Sequence, residues 1–355
     1  DVTGRNWVGM LAGFLYSSGT FAIANVTASG QVHGDSRVGG LAGLVVDGNI
    51  DNVSVTGAVS GDSDYVGGLV GYLGAGGDPA ISNSHSAATV TGTGGASYSI
   101  GGLVGYLGNG AIQTSSATGD VSGYNSVGGL VGENHGLIGS SYATGDVTAT
   151  AGGGSYFGGL VGSTYAGLID QSYATGAVNA ALSNNVGGFI GGNYFGSVTD
   201  SYASGAVTGN NSVGGLVGLN SGTNARTYAS GLVTGSSNVG GLVGENNFSF
   251  TGSYWDVGTS GQSAGYGANN ATFNATGLST PNALKQASYV GFDFASVWGI
   301  TENSAHPYLQ WQYPGGAPQV ISGYVYSDLG TTLVDAVTVN GLINGTSLGS
   351  VTSAN

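Results

Sequence analysis

The chain has 355 residues, of which 73 are glycine, and 40% of its residues are hydrophobic while only 6% are charged. This hydrophobic content argues against a disordered tract, and the glycines lack the three-residue period of collagen. Four basic against 18 acidic residues give a net charge of −14, which disfavours nucleic acid and anionic lipid as partners, and the absence of cysteine excludes disulfides and thiolate metal sites.

A run of the form Gly-Gly-Leu-Val-Gly recurs nine times over residues 1–250. The copies begin at Gly9, Gly39, Gly67, Gly101, Gly128, Gly158, Gly187, Gly214 and Gly240, at intervals of 26 to 34 residues. Short β-branched runs separated by glycine, asparagine and serine lie between them, without a helical period. Such a repeat predicts a stack of like units rather than a compact domain.

Alignment of the copies places aliphatic residues in shared columns. The isoleucine column contains Ile50, Ile81, Ile112, Ile138 and Ile169, and the valine column contains Val121, Val147, Val178 and Val207. These columns predict an all-β, right-handed parallel β-solenoid of about nine coils, with about three strands per coil. The stacked side chains would form one continuous core, which no single coil could form alone.

A column of aromatic residues is the candidate binding surface. It consists of Tyr142, Tyr173, Tyr202, Tyr228 and Tyr254 on five consecutive coils. Threonine, serine and histidine occupy this column in earlier coils, which indicates that it faces outward beside an inward-facing alanine column. Exposed stacked tyrosines could bind glycans or a protein partner, or the rings could simply stabilise adjacent strands.

Two further columns carry predictions about packing. Asn193, Asn220 and Asn246 each lie six residues after a glycine pair, which predicts a ladder of amide hydrogen bonds along the stack. The valine of each Gly-Gly-Leu-Val-Gly run is interpreted as an outward apolar column, typical of lateral association. Its members are Val70, Val104, Val131, Val161, Val217 and Val243.

No catalytic residues are predicted. The basic residues are few and widely separated, and the histidines show neither triad nor metal-ligand spacing. Asp62 and Asp64 are close in sequence, but their insertion is rich in glycine and serine and offers a carboxylate pair no rigid support. The same two aspartates are a candidate calcium site, because oxygen-rich loops suit that ion.

The C-terminal third changes in character. Residues 251–316 are predicted to cap the solenoid, whose last coil would otherwise expose apolar side chains and an unpaired strand. The aromatic residues of this segment are the expected cover, and a sugar-binding cleft is the alternative. Residues 317–355 are predicted to be a partial β-sandwich-like module or a linker, which suggests a fragment of a longer polypeptide.

The repeat units have a recognisable form, as in Ser-Tyr-Ala-Thr-Gly-Asp-Val at residues 141–147 and Phe-Gly-Gly-Leu-Val-Gly at residues 157–162. These units, over roughly residues 1–250, resemble the GLUG repeat of large bacterial surface proteins. Such proteins include filamentous-haemagglutinin-like exoproteins of two-partner secretion and the stalks of some secreted peptidases. The resemblance implies a scaffold and says little about chemistry.

The functional prediction is a non-enzymatic, secreted or cell-surface bacterial β-solenoid, the stalk or fibre of an adhesin that mediates attachment or cell-cell cohesion. Expected partners are host or bacterial surface glycans or proteins, with lateral or end-to-end self-association. Nucleic acid, membrane insertion and cofactors other than calcium are not expected. The alternatives are a polysaccharide-active β-helix enzyme and a passive spacer for a catalytic domain elsewhere.

Overall fold

A computed structural model describes residues 1–16, 21–74, 76–95, 98–150 and 153–317 of the chain, together with the backbone of 338–343 and 346–352. In the latter part, strands Thr338–Ile343 and Thr346–Thr352 pair antiparallel. The rest of the module predicted over residues 317–355 lies outside the described residues.

The described residues between 2 and 278 wind as a parallel β-solenoid of about ten coils, which confirms the predicted fold class and is close to the predicted nine coils. Neighbouring coils pair in register. Ile81, for example, pairs with Ile50 on one side and with Ile112 on the other. The matching side chains therefore lie one above another, as the sequence columns predicted.

Five strand columns run along the solenoid. Column 1 is a nine-stranded sheet formed by Asn6–Val8, Ser36–Gly39, Val66–Gly67, Tyr98–Gly101, Asn125–Gly128, Ser155–Gly158, Asn184–Gly187, Asn211–Gly214 and Ser237–Gly240. Columns 2 to 5 belong to a single 31-stranded sheet. A typical coil therefore has five short strands, compared with the three expected.

Columns 2 and 3 follow the glycine pair. Column 2 comprises Ala12–Leu15, Ala42–Val45, Val70–Leu73, Val104–Leu107, Val131–Asn134, Val161–Tyr165, Val243–Asn246 and Tyr266–Asn269. Column 3 comprises Ala80–Ser82, Ala111–Gln113, Leu137–Gly139 and Leu168–Asp170. In two coils these columns merge into single strands, Ile190–Thr199 and Val217–Ala225.

Columns 4 and 5 complete the coil. Column 4 comprises His85–Ser86, Ser116–Ala117, Tyr142–Ala143, Tyr173–Ala174, Tyr202–Ala203 and Tyr228–Ala229. Column 5 comprises Val2–Thr3, Thr89–Gly92, Val121–Gly123, Val147–Ala149, Val178–Asn179, Val207–Thr208 and Val233–Thr234. Ser249–Asp256 and Phe273–Leu278 join columns 3 and 4, while Ala22–Gly34 and Asn49–Gly61 span columns 3 to 5.

Non-glycine residues with positive φ form two corners of each coil. The corner between columns 3 and 4 is occupied by Asn25, Asn52, Asn83, Thr114, Ser140, Gln171, Asp200 and Arg226. The corner within column 1 is occupied by Trp7, Arg37, Tyr65, Ser99, Ser126, Tyr156, Asn185, Ser212 and Asn238. A left-handed residue bends an extended chain sharply, which explains why the strands are shorter and more numerous than expected.

The predicted ladders form the core. All members of the isoleucine and valine columns named above are at most 1% exposed, and each pairs with its counterpart in the next coil. The prediction that the second valine column faces outward is wrong, because Val70, Val104, Val131, Val161, Val217 and Val243 are fully buried. The chain bends at the glycine pair and the leucine that follows, so the leucine and the valine both point inward.

Close approach between coils explains the glycine pair. A Cβ atom on Gly129 would lie 2.1 Å from the carbonyl oxygen of Gly159 in the next coil. No real side chain tolerates that distance to backbone, so any larger residue would push the coils apart. The repeat therefore requires glycine here for contact between coils.

The last, partial coil and the segment that follows it are irregular. They contain α-helices Val257–Ser260 and Thr280–Ala283, 3₁₀ turns Gln286–Ser288 and Gln310–Gln312, and the antiparallel strands Trp298–Gly299 and Tyr308–Leu309. We call residues 279–313 the C-terminal strap. Among the described residues, no helix combines the length and apolar character needed to cross a bilayer.

Candidate functional site: two aromatic columns

The predicted tyrosine column forms as a stack on column 4. The rings of Tyr142, Tyr173, Tyr202 and Tyr228 are spaced 4.8 to 5.2 Å apart with planes within 6° of parallel, and Tyr254 is in register with Tyr228. The alanine after each of the first four tyrosines is fully buried in the core. The tyrosines therefore point away from the solenoid interior, as alternation along a strand requires.

The strap covers this tyrosine column. Trp298 lies 6.2 Å from Tyr202 and 5.9 Å from Tyr228, measured between ring centroids, and Trp311 lies 5.7 Å from Tyr173. The expectation of an exposed column is therefore wrong for Tyr202, Tyr228 and Tyr254, which are 7%, 3% and 6% exposed. Tyr142 and Tyr173 are half-buried.

The strap also corrects the picture of an end cap. Residues 251–278 continue the winding as a last, partial coil, and residues 279–313 lie along the flank, against the tyrosine column. The aromatic residues of the strap are therefore buried against stacked phenol rings.

Hydrogen bonds from phenol groups of the tyrosine column to carbonyl oxygens of the strap hold the strap in place. The Tyr254 hydroxyl donates to the carbonyl oxygen of Val290 at 2.9 Å, and the Tyr228 hydroxyl donates to that of Pro307. Burial raises the pKa of Tyr173 to about 12 and raises that of Tyr228 well above its ordinary value. The phenols therefore remain protonated donors throughout the physiological range.

Asp200 anchors the middle of the strap to the solenoid. Its carboxylate accepts hydrogen bonds from the Arg226 guanidinium at 2.6 to 3.0 Å and from the Trp298 indole Nε1 at 3.1 Å. The three side chains form one network, in which a buried carboxylate is paired with a cation and with a neutral donor. Asp200 also occupies a positive-φ corner.

Asp256 anchors the end of the solenoid. Its Oδ1 atom accepts hydrogen bonds from the Gly258 amide at 2.9 Å and the Thr280 hydroxyl at 2.8 Å, and its Oδ2 atom lies 2.9 Å from His306 Nε2. Burial alone would raise the pKa of Asp256, but the hydrogen bonds from His306 and Thr280 outweigh burial and lower it. The Asp256–His306 pair therefore acts as a structural clamp between the last coil and the strap.

The asparagine column is fully buried and hydrogen-bonds along the stack. The Asn193 amide donates to Asn220 at 3.2 Å, Asn220 donates to Asn246 at 2.9 Å, and Asn246 donates to Asn269 at 2.8 Å. Each amide therefore satisfies its neighbour in an otherwise apolar interior.

A serine ladder beside the tyrosine column escaped the sequence analysis. Its members are Ser84, Ser115, Ser141, Ser172 and Ser201, all at most 1% exposed. Each hydroxyl accepts a backbone N–H from the preceding coil and donates to the carbonyl two residues earlier. The available signal was a serine immediately before each position of the tyrosine column in these coils. The chain contains so many other serines that this column did not stand out in the alignment.

A second aromatic stack was also missed. Five rings follow one another on successive coils at the end of column 2: Tyr72, Tyr106, His135, Tyr165 and Tyr194. Neighbouring centroids are 4.5 to 5.3 Å apart, and the planes lie within 29° of parallel. We call this set the exposed stack. The signal in the sequence was an aromatic residue shortly after the Leu-Val-Gly-like run of these five repeats. It directly follows the glycine at Tyr72 and Tyr106, and it stands two positions later from His135 onward.

The two candidate calcium ligands have separate partners. Asp62 accepts a hydrogen bond from the Thr93 hydroxyl, and its Oδ2 atom lies 3.8 Å from His33 Nε2. Burial raises the pKa of Asp64, against the opposing effects of the Tyr98 amide and Arg37. In the described part of the chain, no three histidine, aspartate or glutamate residues gather as a metal site. Calcium binding here stays a prediction.

Comparison with known families now identifies the repeat. The GLUG motif matches residues 34–60, 62–91, 96–122, 123–148, 153–179 and 183–208, which are six consecutive windings of the solenoid. The chain carries six GLUG motifs. The predicted GLUG resemblance is therefore confirmed for these residues.

The chain is also similar to a curated protein, halomucin from Haloquadratum walsbyi (strain DSM 16790 / HBSQ001). The two are 40% identical over 182 residues, which cover 46% of this chain and 2% of halomucin. The chain thus spans a very small part of that relative's length. No solved structure matches the chain.

Proposed function

We propose that the chain is a non-enzymatic, extracellular structural β-solenoid, which forms the stalk or fibre of a surface adhesin and mediates attachment or cell-cell cohesion. The observation that carries this proposal is the single uninterrupted core, in which ladder side chains from consecutive coils are in register and buried. A rod of this kind holds its flanks and ends at fixed separations, which suits a spacer or a fibre.

The comparisons support a place at the cell surface. The GLUG motifs account for six windings, and the similarity to a protein named as a mucin favours an extracellular layer. The net charge of −14 favours a solvated rod that does not associate with nucleic acid or anionic lipid. The finer form of the proposal is a filamentous-haemagglutinin-like protein exported by two-partner secretion.

Labelling of intact cells tests the location and the function together. An antibody raised against residues 1–250 should label unpermeabilised cells of the organism that encodes the chain. An in-frame deletion of the coding region for residues 1–250 should reduce cell aggregation or attachment, and re-expression should restore it. Label only after permeabilisation would overturn the extracellular assignment, and unchanged aggregation and attachment would overturn the adhesive one.

A polysaccharide panel tests the non-enzymatic part of the proposal. The purified chain, incubated with neutral and uronate polysaccharides, should leave their chain length unchanged by size-exclusion chromatography. Shortening of any polymer, abolished by heat treatment of the protein, would establish the enzyme alternative instead.

A further inference from the structure

The two aromatic columns differ in what covers them. The tyrosine column is covered by the strap, whereas every ring contact of the exposed stack is with another solenoid residue of the described chain. Tyr165 is 37% exposed, and the other four members are partly exposed. The exposed stack is therefore an aromatic surface that the described chain leaves open.

The exposed stack shows its edges to solvent. Because the rings lie face to face between coils, their faces are hidden and their rims point outward, with one polar group for each coil. The Tyr194 hydroxyl donates to the Tyr156 hydroxyl at 2.8 Å, and His135 Nε2 lies 2.9 Å from the Glu133 carboxylate. Such a rim offers C–H surface and hydrogen-bonding groups side by side, as tyrosine does at recognition surfaces.

The spacing and charge of this strip restrict its partner. The ring centroids repeat at 4.5 to 5.3 Å along the solenoid, so a linear polymer with a similar repeat can contact successive coils in register. Arg37 lies over the Tyr72 ring at one end of the stack, but Glu133 at its middle and the net charge of −14 disfavour anionic polymers and a second copy of this chain. An extended, equatorially linked neutral polysaccharide carries no charge and advances by about one coil spacing per sugar.

We propose that the exposed stack binds a neutral, extended polysaccharide, which lies along the solenoid axis and contacts Tyr106, His135 and Tyr165 on consecutive coils. This inference rests on the proposed extracellular role and names the ligand class and the surface that serve it. It differs from the predicted glycan surface, because the tyrosine column is largely occupied by the strap.

Titration with cellohexaose, a neutral β-1,4-linked probe, tests the proposal by isothermal calorimetry and by NMR line broadening. The double variant Tyr106→Ser/Tyr165→Ser should bind about tenfold more weakly or worse, because two rings of the strip are removed. Tyr98→Ser is the matched control, since Tyr98 is 47% exposed and lies outside the stack. That control should bind as the unaltered chain does.

A second double variant, Tyr106→Phe/Tyr165→Phe, protects the test from misfolding, because the rings remain and only the hydroxyls are lost. It should retain the circular dichroism spectrum and show intermediate affinity. The proposal is overturned if the folded chain binds no cellohexaose, or if it binds polygalacturonate more tightly than cellohexaose. It is also overturned if Tyr106→Ser/Tyr165→Ser binds cellohexaose as tightly as the Tyr98→Ser control. If intact cells are labelled but cellohexaose does not bind, only the ligand assignment fails and the extracellular role stands.

Discussion

Thr114 is the least favourable residue at a positive-φ corner of the isoleucine-bearing coils. Its φ is 50°, whereas asparagine occupies the same corner at Asn52 and Asn83 in earlier coils. A β-branched side chain clashes with its own backbone in this region, and asparagine tolerates it far better. The structure holds Thr114 there because the Thr114 amide donates to the carbonyl oxygen of Gly139 at 3.1 Å in the next coil.

We therefore expect Thr114→Asn to stabilise the chain. Relief of backbone strain should raise the unfolding free energy by about 1 kcal/mol, measured by urea denaturation. Thr148→Asn makes the same chemical change at an exposed strand position without positive φ and should bring no gain. Equal stability of Thr114→Asn and the unaltered chain would contradict the strain argument.

Asp256 predicts a specific acid dependence. Its pKa is lower in the folded chain than the ordinary aspartate value of about 3.9, so folding holds the carboxylate in its charged form. The contribution to stability is complete above that ordinary value and is lost as pH falls through the lowered folded pKa. Asp256→Asn should therefore flatten the acid limb of a plot of unfolding free energy against pH.

The control for this prediction is Asp78→Asn, which removes the same charge from an exposed loop. It should leave the acid limb almost as steep as in the unaltered chain. Identical acid limbs for Asp256→Asn and the unaltered chain would mean that the Asp256–His306 clamp does not contribute.

At the scale of elements, Trp298 is the largest fully buried side chain of the strap. This side chain is fully buried between the tyrosine column and Phe292, with its indole bonded to Asp200. Trp298→Ala should cost about 3–5 kcal/mol of strap docking. Lys285 is exposed already, but release of the strap should unfold the backbone around it, so that trypsin cleaves after Lys285 much faster than in the unaltered chain.

Val290→Ala is the control, because Val290 is in the same strap but is 76% exposed. Its cleavage rate should not change. If trypsin cleaves Trp298→Ala no faster than the unaltered chain, and the variant keeps a native circular dichroism spectrum, other contacts suffice to hold the strap.

The sequence predicts the ladders well because a parallel stack places each residue above its counterpart in the next repeat. Ile50 and Ile81 can be paired by alignment alone, and their burial follows from their apolar character. The strap could not be predicted in the same way. Which segment covers the tyrosine column depends on contacts such as Trp311 Nε1 to the carbonyl of Gln171, 140 residues apart.

The exposed stack shows a different limit of sequence reasoning. Its rings change position between Tyr106 and His135, so alignment by column separates residues that the fold brings face to face at 5.1 Å. Two outward-facing positions, two residues apart on the strand, can each place a ring against the ring of the next coil. The side-chain directions, which the sequence does not show, decide whether rings at these two positions meet.

For the whole molecule, the solenoid should tolerate the loss of one complete coil. Deletion of residues 102–128 joins Gly101, the counterpart of Gly128 in the preceding coil, directly to Gly129, and leaves all later ladders in register. The shortened chain should unfold cooperatively with a smaller m-value, since each coil contacts mainly its neighbours. Small-angle scattering should show a rod shorter by about 4.8 Å.

Deletion of residues 102–114 is the matched control, because it removes only part of a coil and shifts every later side chain relative to the core. We expect that variant to aggregate or to lose its circular dichroism signal. Folding of both deletions with equal stability would argue against a core built from registered ladders.

The strap contacts successive coils from the one that bears Tyr142 to the one that bears Tyr254. Tension on the two ends of the rod would peel the amino-terminal windings one at a time, because only the next winding holds each of them. In the carboxy-terminal half, the strap must detach before any winding there can separate from the rod. A filament made of such chains would yield under shear from one end and keep the other intact.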